Sequence, residues 1–234
     1  MEKIQFENNN FILYSPDSLN YITNDMEKIL NQSLELYYSL LGVNSFRKVQ
    51  INYFDDLEKF RNYIYELRGE KDSLPDYAKG TFDNGMINAY IEPNIIEGTP
   101  LYNRRKYNAS HELFHIMYQE LILRKNNMDR IVWFDEGMAQ FFSGEFTKEI
   151  ENFDDFVRIT INNTKKVPDL NTLSHGSKFE TDDYSGYKLS FIAVKYIYDQ
   201  IGIQKFRELL YDINKIREYG RNILFEIIEN YNVE

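Results

Sequence analysis

Residues 111–115 read His111-Glu112-Leu113-Phe114-His115. Two imidazoles four residues apart leave an α-helix about 40° apart around its axis and one turn apart along it. Side chains so placed can share one ion, and imidazole nitrogens suit zinc at about 2.0–2.1 Å. Glu112 stands about 100° around the axis from His111. It borders the metal face without pointing at the ion, the position of a base that takes a proton from an activated water. A third ligand is expected in Trp133-Phe134-Asp135-Glu136-Gly137-Met138-Ala139, where Glu136 lies 21 residues beyond His115. A helical hairpin can bring such a carboxylate onto the same ion. Two His and one Glu leave a fourth position open, as in catalytic rather than closed structural sites. The plain alternative for Glu136 is a capping or salt-bridging carboxylate. Asp135 and Glu145 are near enough in sequence to orient a ligand from behind, although carboxylates on a helix surface need no such role.

HELFH followed by WFDEGMA resembles the gluzincin metallopeptidases, above all the zinc aminopeptidases and the peptidase MA-like domains. Those families carry HExxH, an interval of about twenty residues, and then a W-x-x-E-G-x-A segment. The resemblance implies that His111, His115 and Glu136 bind Zn2+ and that Glu112 is the general base. Further on, Tyr187-Lys188-Leu189-Ser190, then Gly202 and Phe206, is similar to the aminopeptidase segment Y-x-K-G and the helix after it. That similarity assigns Tyr187 to the oxyanion of the tetrahedral intermediate. Ser190 stands where the family has Gly, and Tyr184, one turn earlier, competes for the role. His175, the third histidine of the chain, is a further candidate, because some gluzincins place a histidine beside the oxyanion; a solvated loop side chain is its ordinary reading. The aminopeptidases also carry Gly-x-Met-Glu-Asn, whose Glu holds the substrate amine. This chain has Gly85-Met86-Ile87-Asn88 with no Glu there, which puts exopeptidase activity in doubt and leaves endopeptidase activity open.

These residues need elements to hold them. Phe11–Ser15 and Val49–Phe54 read as strands. A long helix starts at Ser15-Pro16-Asp17 and stops at Gly42, and another runs from Asp55-Asp56 to Arg68. Gly80–Phe82 and Met86–Glu92 form a strand pair around Asp83-Asn84-Gly85. The segment Gly85–Ala89 is expected to be the edge strand that pairs with a substrate backbone. Glu70–Ala78 and Lys165–Asp183 read as polar loops. Helices are expected over about Arg104–Lys125, Val132–Phe146 and Phe153–Asn163, with three more from Tyr184 onward. The order predicts an α+β protein. It is expected to be a single catalytic domain over 1–234 with a thermolysin-like metallopeptidase fold. An α/β lobe with a small mixed sheet would cover about 1–126 and a helical lobe about 127–234.

Composition narrows the chemistry. The chain has 234 residues, 19 Tyr, 17 Phe and no cysteine, so disulfides, thiolate zinc sites and a cysteine nucleophile are excluded. The formal net charge of -10 argues against a nucleic-acid partner, which needs a basic surface. No apolar run suits a signal peptide or a membrane span. A cytoplasmic protein is the simple expectation, and a secreted chain trimmed of its leader would read the same. The expected activity is zinc-dependent hydrolysis of peptide bonds in a peptide or protein substrate. A non-catalytic zinc-binding module of the same fold, or a zinc hydrolase of a non-peptide substrate, is the alternative. Nothing in the sequence specifies the oligomeric state.

Overall fold

The computed structural model describes residues 3–69, 79–146, 150–174 and 179–231. The segment 70–78, read as a polar loop, and His175 lie outside the described residues. The described residues form an α+β protein with a five-stranded mixed sheet and seven α-helices. The chain divides into two compact units, Met1–Ser39 with Val43–Met117, and Leu40–Gly42 with Tyr118–Glu234.

The first unit holds the sheet. Its strands are β1 (Lys3–Glu7), β2 (Phe11–Ser15), β3 (Val49–Phe54), β4 (Gly80–Asp83) and β5 (Met86–Tyr90), in the order β1-β2-β3-β5-β4. The three central strands run parallel, and β1 and β4 pair antiparallel at the two ends. The β4–β5 hairpin turns through Asn84 and Gly85, both at positive φ (49° and 73°), a conformation that favours Asn-Gly. Gly85–Ala89 is therefore not an edge: β5 lies between β3 and β4, and β4 is the outer strand. Asn88 is fully buried and accepts a hydrogen bond from Asn52 at 2.8 Å, so it serves the sheet interior.

Helix α1 (Asn20–Leu41) buries Ile22, Met26, Leu30 and Leu34, a four-residue rhythm that keeps one face inward. Helix α2 (Leu57–Arg68) is capped by Asp56, whose side chain accepts from the Lys59 amide, and it ends at Gly69 in the left-handed region. It packs Phe60 and Ile64 against Phe54. Helix α3 (Pro100–Tyr118) starts four residues before the expected Arg104. The Thr99 hydroxyl accepts from the Tyr102 amide, and Pro100 takes the first helical position, where its missing N–H costs nothing.

The second unit is helical. The helix beyond Tyr118 widens into a π-helical turn, Gln119–Leu123. Then come α4 (Val132–Ser143), α5 (Phe153–Asn162), α6 (Gly186–Leu209) and α7 (Ile213–Asn230). Gly202, at φ 70° and ψ 169°, breaks the helical path within α6, so three helical segments follow Tyr184 as expected. Phe206 then stacks on Phe134 at 5.7 Å between ring centroids. Nearly every residue of α4 is buried, as fits a helix apolar on most sides. It crosses α6 at Gly137, where a Cβ would run into the Ser190 carbonyl and stand 2.7 Å from Val194 Cγ2. Glycine after Glu136 is thus a packing requirement. Gly137→Ala is expected to lower stability by about 1–3 kcal/mol, the usual cost of overpacking. Urea unfolding checks this as a lower midpoint at unchanged slope.

Among the described residues no helix is long and apolar enough to cross a membrane.

A candidate metal centre

The histidine helix is fixed by contacts that alternate with its candidate site residues. Ser110, one position before His111, is fully buried. Its hydroxyl lies 2.8 Å from the Tyr37 hydroxyl and donates to Ser33 Oγ at 2.7 Å, both on α1. Tyr37 also donates to the Ser110 carbonyl at 3.0 Å. Phe114, one position before His115, meets the Tyr37 ring edge-on at 5.2 Å. The inward face of α3 is thereby pinned, and His111 and His115 are carried on the neighbouring face. Toward the start of α3, Arg105 grips Glu92 with two hydrogen bonds of 2.7 Å.

The two imidazoles converge, with Nε2 atoms 3.0 Å apart. Each of His111, His115 and Glu136 offers one ligand atom, and these atoms all lie within 4.8 Å of one another. Ligands at about 2.0–2.1 Å from a tetrahedral ion stand roughly 3.3 Å apart, so the histidine pair has the spacing of a shared ion. His115 and Glu136 are each 4 % exposed. A carboxylate so far from water needs a cation or hydrogen-bond donors. The His-His-Glu group can hold a metal ion.

Strand β4 lies against the same face of α3. Gly80 sits so close to Glu112 that a Cβ there would stand 3.0 Å from Oε1. Two residues on, Phe82 meets the His115 ring at 6.0 Å between centroids. Positions two apart on a strand share a face, so β4 presents a bare Cα to Glu112 and an aromatic ring to His115. Thr81 and Asp83 face the other way and bind Arg68, with Asp83 Oδ1 2.6 Å from Nε.

Glu136 stands on α4 beside Asp135, and Arg130 reaches both. Its Nε donates to Asp135 Oδ2, and its Nη2 donates to Glu136 Oε1 at 3.0 Å. Tyr118 belongs to the same cluster: burial first, then the charge of Asp135, pushes its hydroxyl far above the usual phenol range. Asp135, read above as a residue that could orient a ligand, is thus tied to Arg130. Arg130 itself carries no motif and is invisible until the chain is folded.

Tyr187 lies in the first turn of α6, which Ser185 caps by accepting from the Lys188 amide. Its ring packs edge-on against Phe179 at 4.6 Å. It stands one turn before Ser190, where α6 crosses α4 at Gly137. Tyr184 lies outside the helix, and its carbonyl accepts from the Thr181 amide at 3.0 Å. Compared with family models and with curated proteins, the chain matches none.

Proposed function

We propose that the chain is a zinc-dependent peptidase with a thermolysin-like catalytic arrangement, resembling the gluzincins. The observation that carries this reading is the convergence of His111, His115 and Glu136, with the Glu112 carboxylate one residue from His111 and against β4. The donor set fits the ion: two imidazoles and one carboxylate are the protein ligands of a catalytic zinc with one position open. Zinc held there would supply Lewis-acid polarisation of a carbonyl and acidify water.

The remaining work falls to side chains and backbone. Glu112 takes a proton from the attacking water and returns it to the leaving amine. One O–H bond and the C–N bond break, and a C–O bond and an N–H bond form. The Tyr187 hydroxyl donates to the oxyanion as it develops. In this reading an extended peptide pairs with the outer edge of β4, because Gly85–Ala89, expected from sequence to take that role, lies on an inner strand.

Two measurements on the purified chain test the reading together: metal content, and cleavage of a mixed peptide library. About one zinc per chain is expected, with cleavage abolished by a chelator and restored by zinc. The triple variant His111→Ala, His115→Ala, Glu136→Ala is expected to retain no stoichiometric zinc. Zinc bound without any cleavage would replace the peptidase by a binding module. Wild-type zinc in the triple variant would place the metal elsewhere.

A further inference from the structure

We propose that Arg130 is the positioning residue of the metal ligand Glu136, its guanidinium bridging Asp135 and Glu136 so that the ligand carboxylate is held in one orientation. This rests on the metal-site reading above.

Asp135 and Glu136 are consecutive on α4, and their side chains are 3 % and 5 % exposed. Consecutive side chains on a helix diverge by about 100°. One cation that satisfies both must therefore span two directions at once. Arg130 does so with two different nitrogens, Nε to Asp135 and Nη2 to Glu136. The planar fork of a guanidinium has fixed donor directions, whereas an ammonium is a single point. Asp135 thus anchors the guanidinium, and the anchored guanidinium holds the Glu136 carboxylate at Oε1. A carboxylate restrained in this way meets an ion without searching rotamers. Such partners behind a ligand typically set metal affinity by 10–100-fold. Arg130 is 30 % exposed, while the two carboxylates it donates to are buried.

Arg130→Lys is the decisive variant because it keeps the charge and removes the fork. The full chain, stripped of metal, is titrated with zinc against a chromophoric chelator. Thermal unfolding of the same metal-free samples is followed by circular dichroism. The expected result is a zinc Kd about 10-fold weaker for Arg130→Lys, with the metal-free melting curve close to wild type. Arg130→Met, which loses both bonds, is expected toward the 100-fold end. An Arg130→Lys variant that binds zinc with wild-type Kd overturns the proposal, whatever happens to the Met variant. A merely structural arginine would lower the melting curve and leave Kd alone, which also overturns it. His111→Ala, run in parallel, separates this failure from failure of the site. If His111→Ala loses zinc while Arg130→Lys keeps it, only the role of Arg130 falls. If neither loses it, the site itself is misplaced and the proposal falls with it.

Discussion

Glu112→Gln is expected to retain zinc at wild-type stoichiometry while losing at least ~10² in kcat, the lower end of what a positioned general base contributes. The substitution preserves length and shape and removes the capacity to accept a proton. Shape matters at this position because the Glu112 carboxylate lies over Gly80, with Oε1 at the distance of a tight contact from where a Cβ would be. A glutamine amide fits the same space. Glu112 is not one of the three converging ligands, so the ion should not notice the change. The two readouts therefore separate: metal content reports His111, His115 and Glu136, and turnover reports Glu112. A loss of ~10² corresponds to about 2.7 kcal/mol of transition-state stabilisation. Near-wild-type turnover, with zinc confirmed in the same sample, would remove Glu112 from the mechanism and with it the main argument for a peptidase.

The candidate site was legible in the sequence wherever its geometry is local. The i, i+4 spacing of His111 and His115 is a property of any helix, and the helix is there. Helix α2 was readable from Asp56 and Gly69 because cap and stop are set by nearest neighbours. Non-local pairing was not readable. The Asn84-Gly85 turn announces a hairpin, but it does not say which of its strands takes a third partner. Ile51 of β3 pairs with Ile87 of β5, across 36 residues, and that pairing puts β4 at the edge. Strand β1 escaped although Lys3-Ile4-Gln5-Phe6-Glu7 alternates polar and apolar residues, because so short an edge strand is fixed by its pairing with β2. Helix α4 ends three residues before the expected Phe146 because Gly144 adopts φ 86°, a stop that the apolar run past it obscured. Arg130 is the clearest case. An arginine in a polar connection is unremarkable until folding buries the two carboxylates it joins.

Tyr187→Phe is expected to lower kcat by ~10²–10³, the worth of a single oxyanion donor at roughly 2.7–4 kcal/mol. The change removes one hydroxyl and leaves the ring. The ring is what packs: Tyr187 meets Phe179 edge-on at 4.6 Å, a contact that phenylalanine keeps. Its backbone amide donates to Glu180 Oε1 at 3.3 Å, which the substitution does not touch. Folding and zinc content should therefore survive, and the loss should be chemical. It should appear in kcat more than in KM, because the oxyanion exists in the transition state and not in the bound substrate. Tyr187 is inside α6, one turn from its crossing with α4 at Gly137, the residue after Glu136. Tyr184 precedes the Ser185 cap, in a turn closed by Thr181. Tyr184→Phe is accordingly the control and is expected to stay within a few-fold of wild type. A silent Tyr187→Phe beside a Tyr184→Phe that loses kcat would transfer the role to Tyr184. A Tyr187→Phe that raises KM alone would make the side chain a substrate contact with no part in the chemical step.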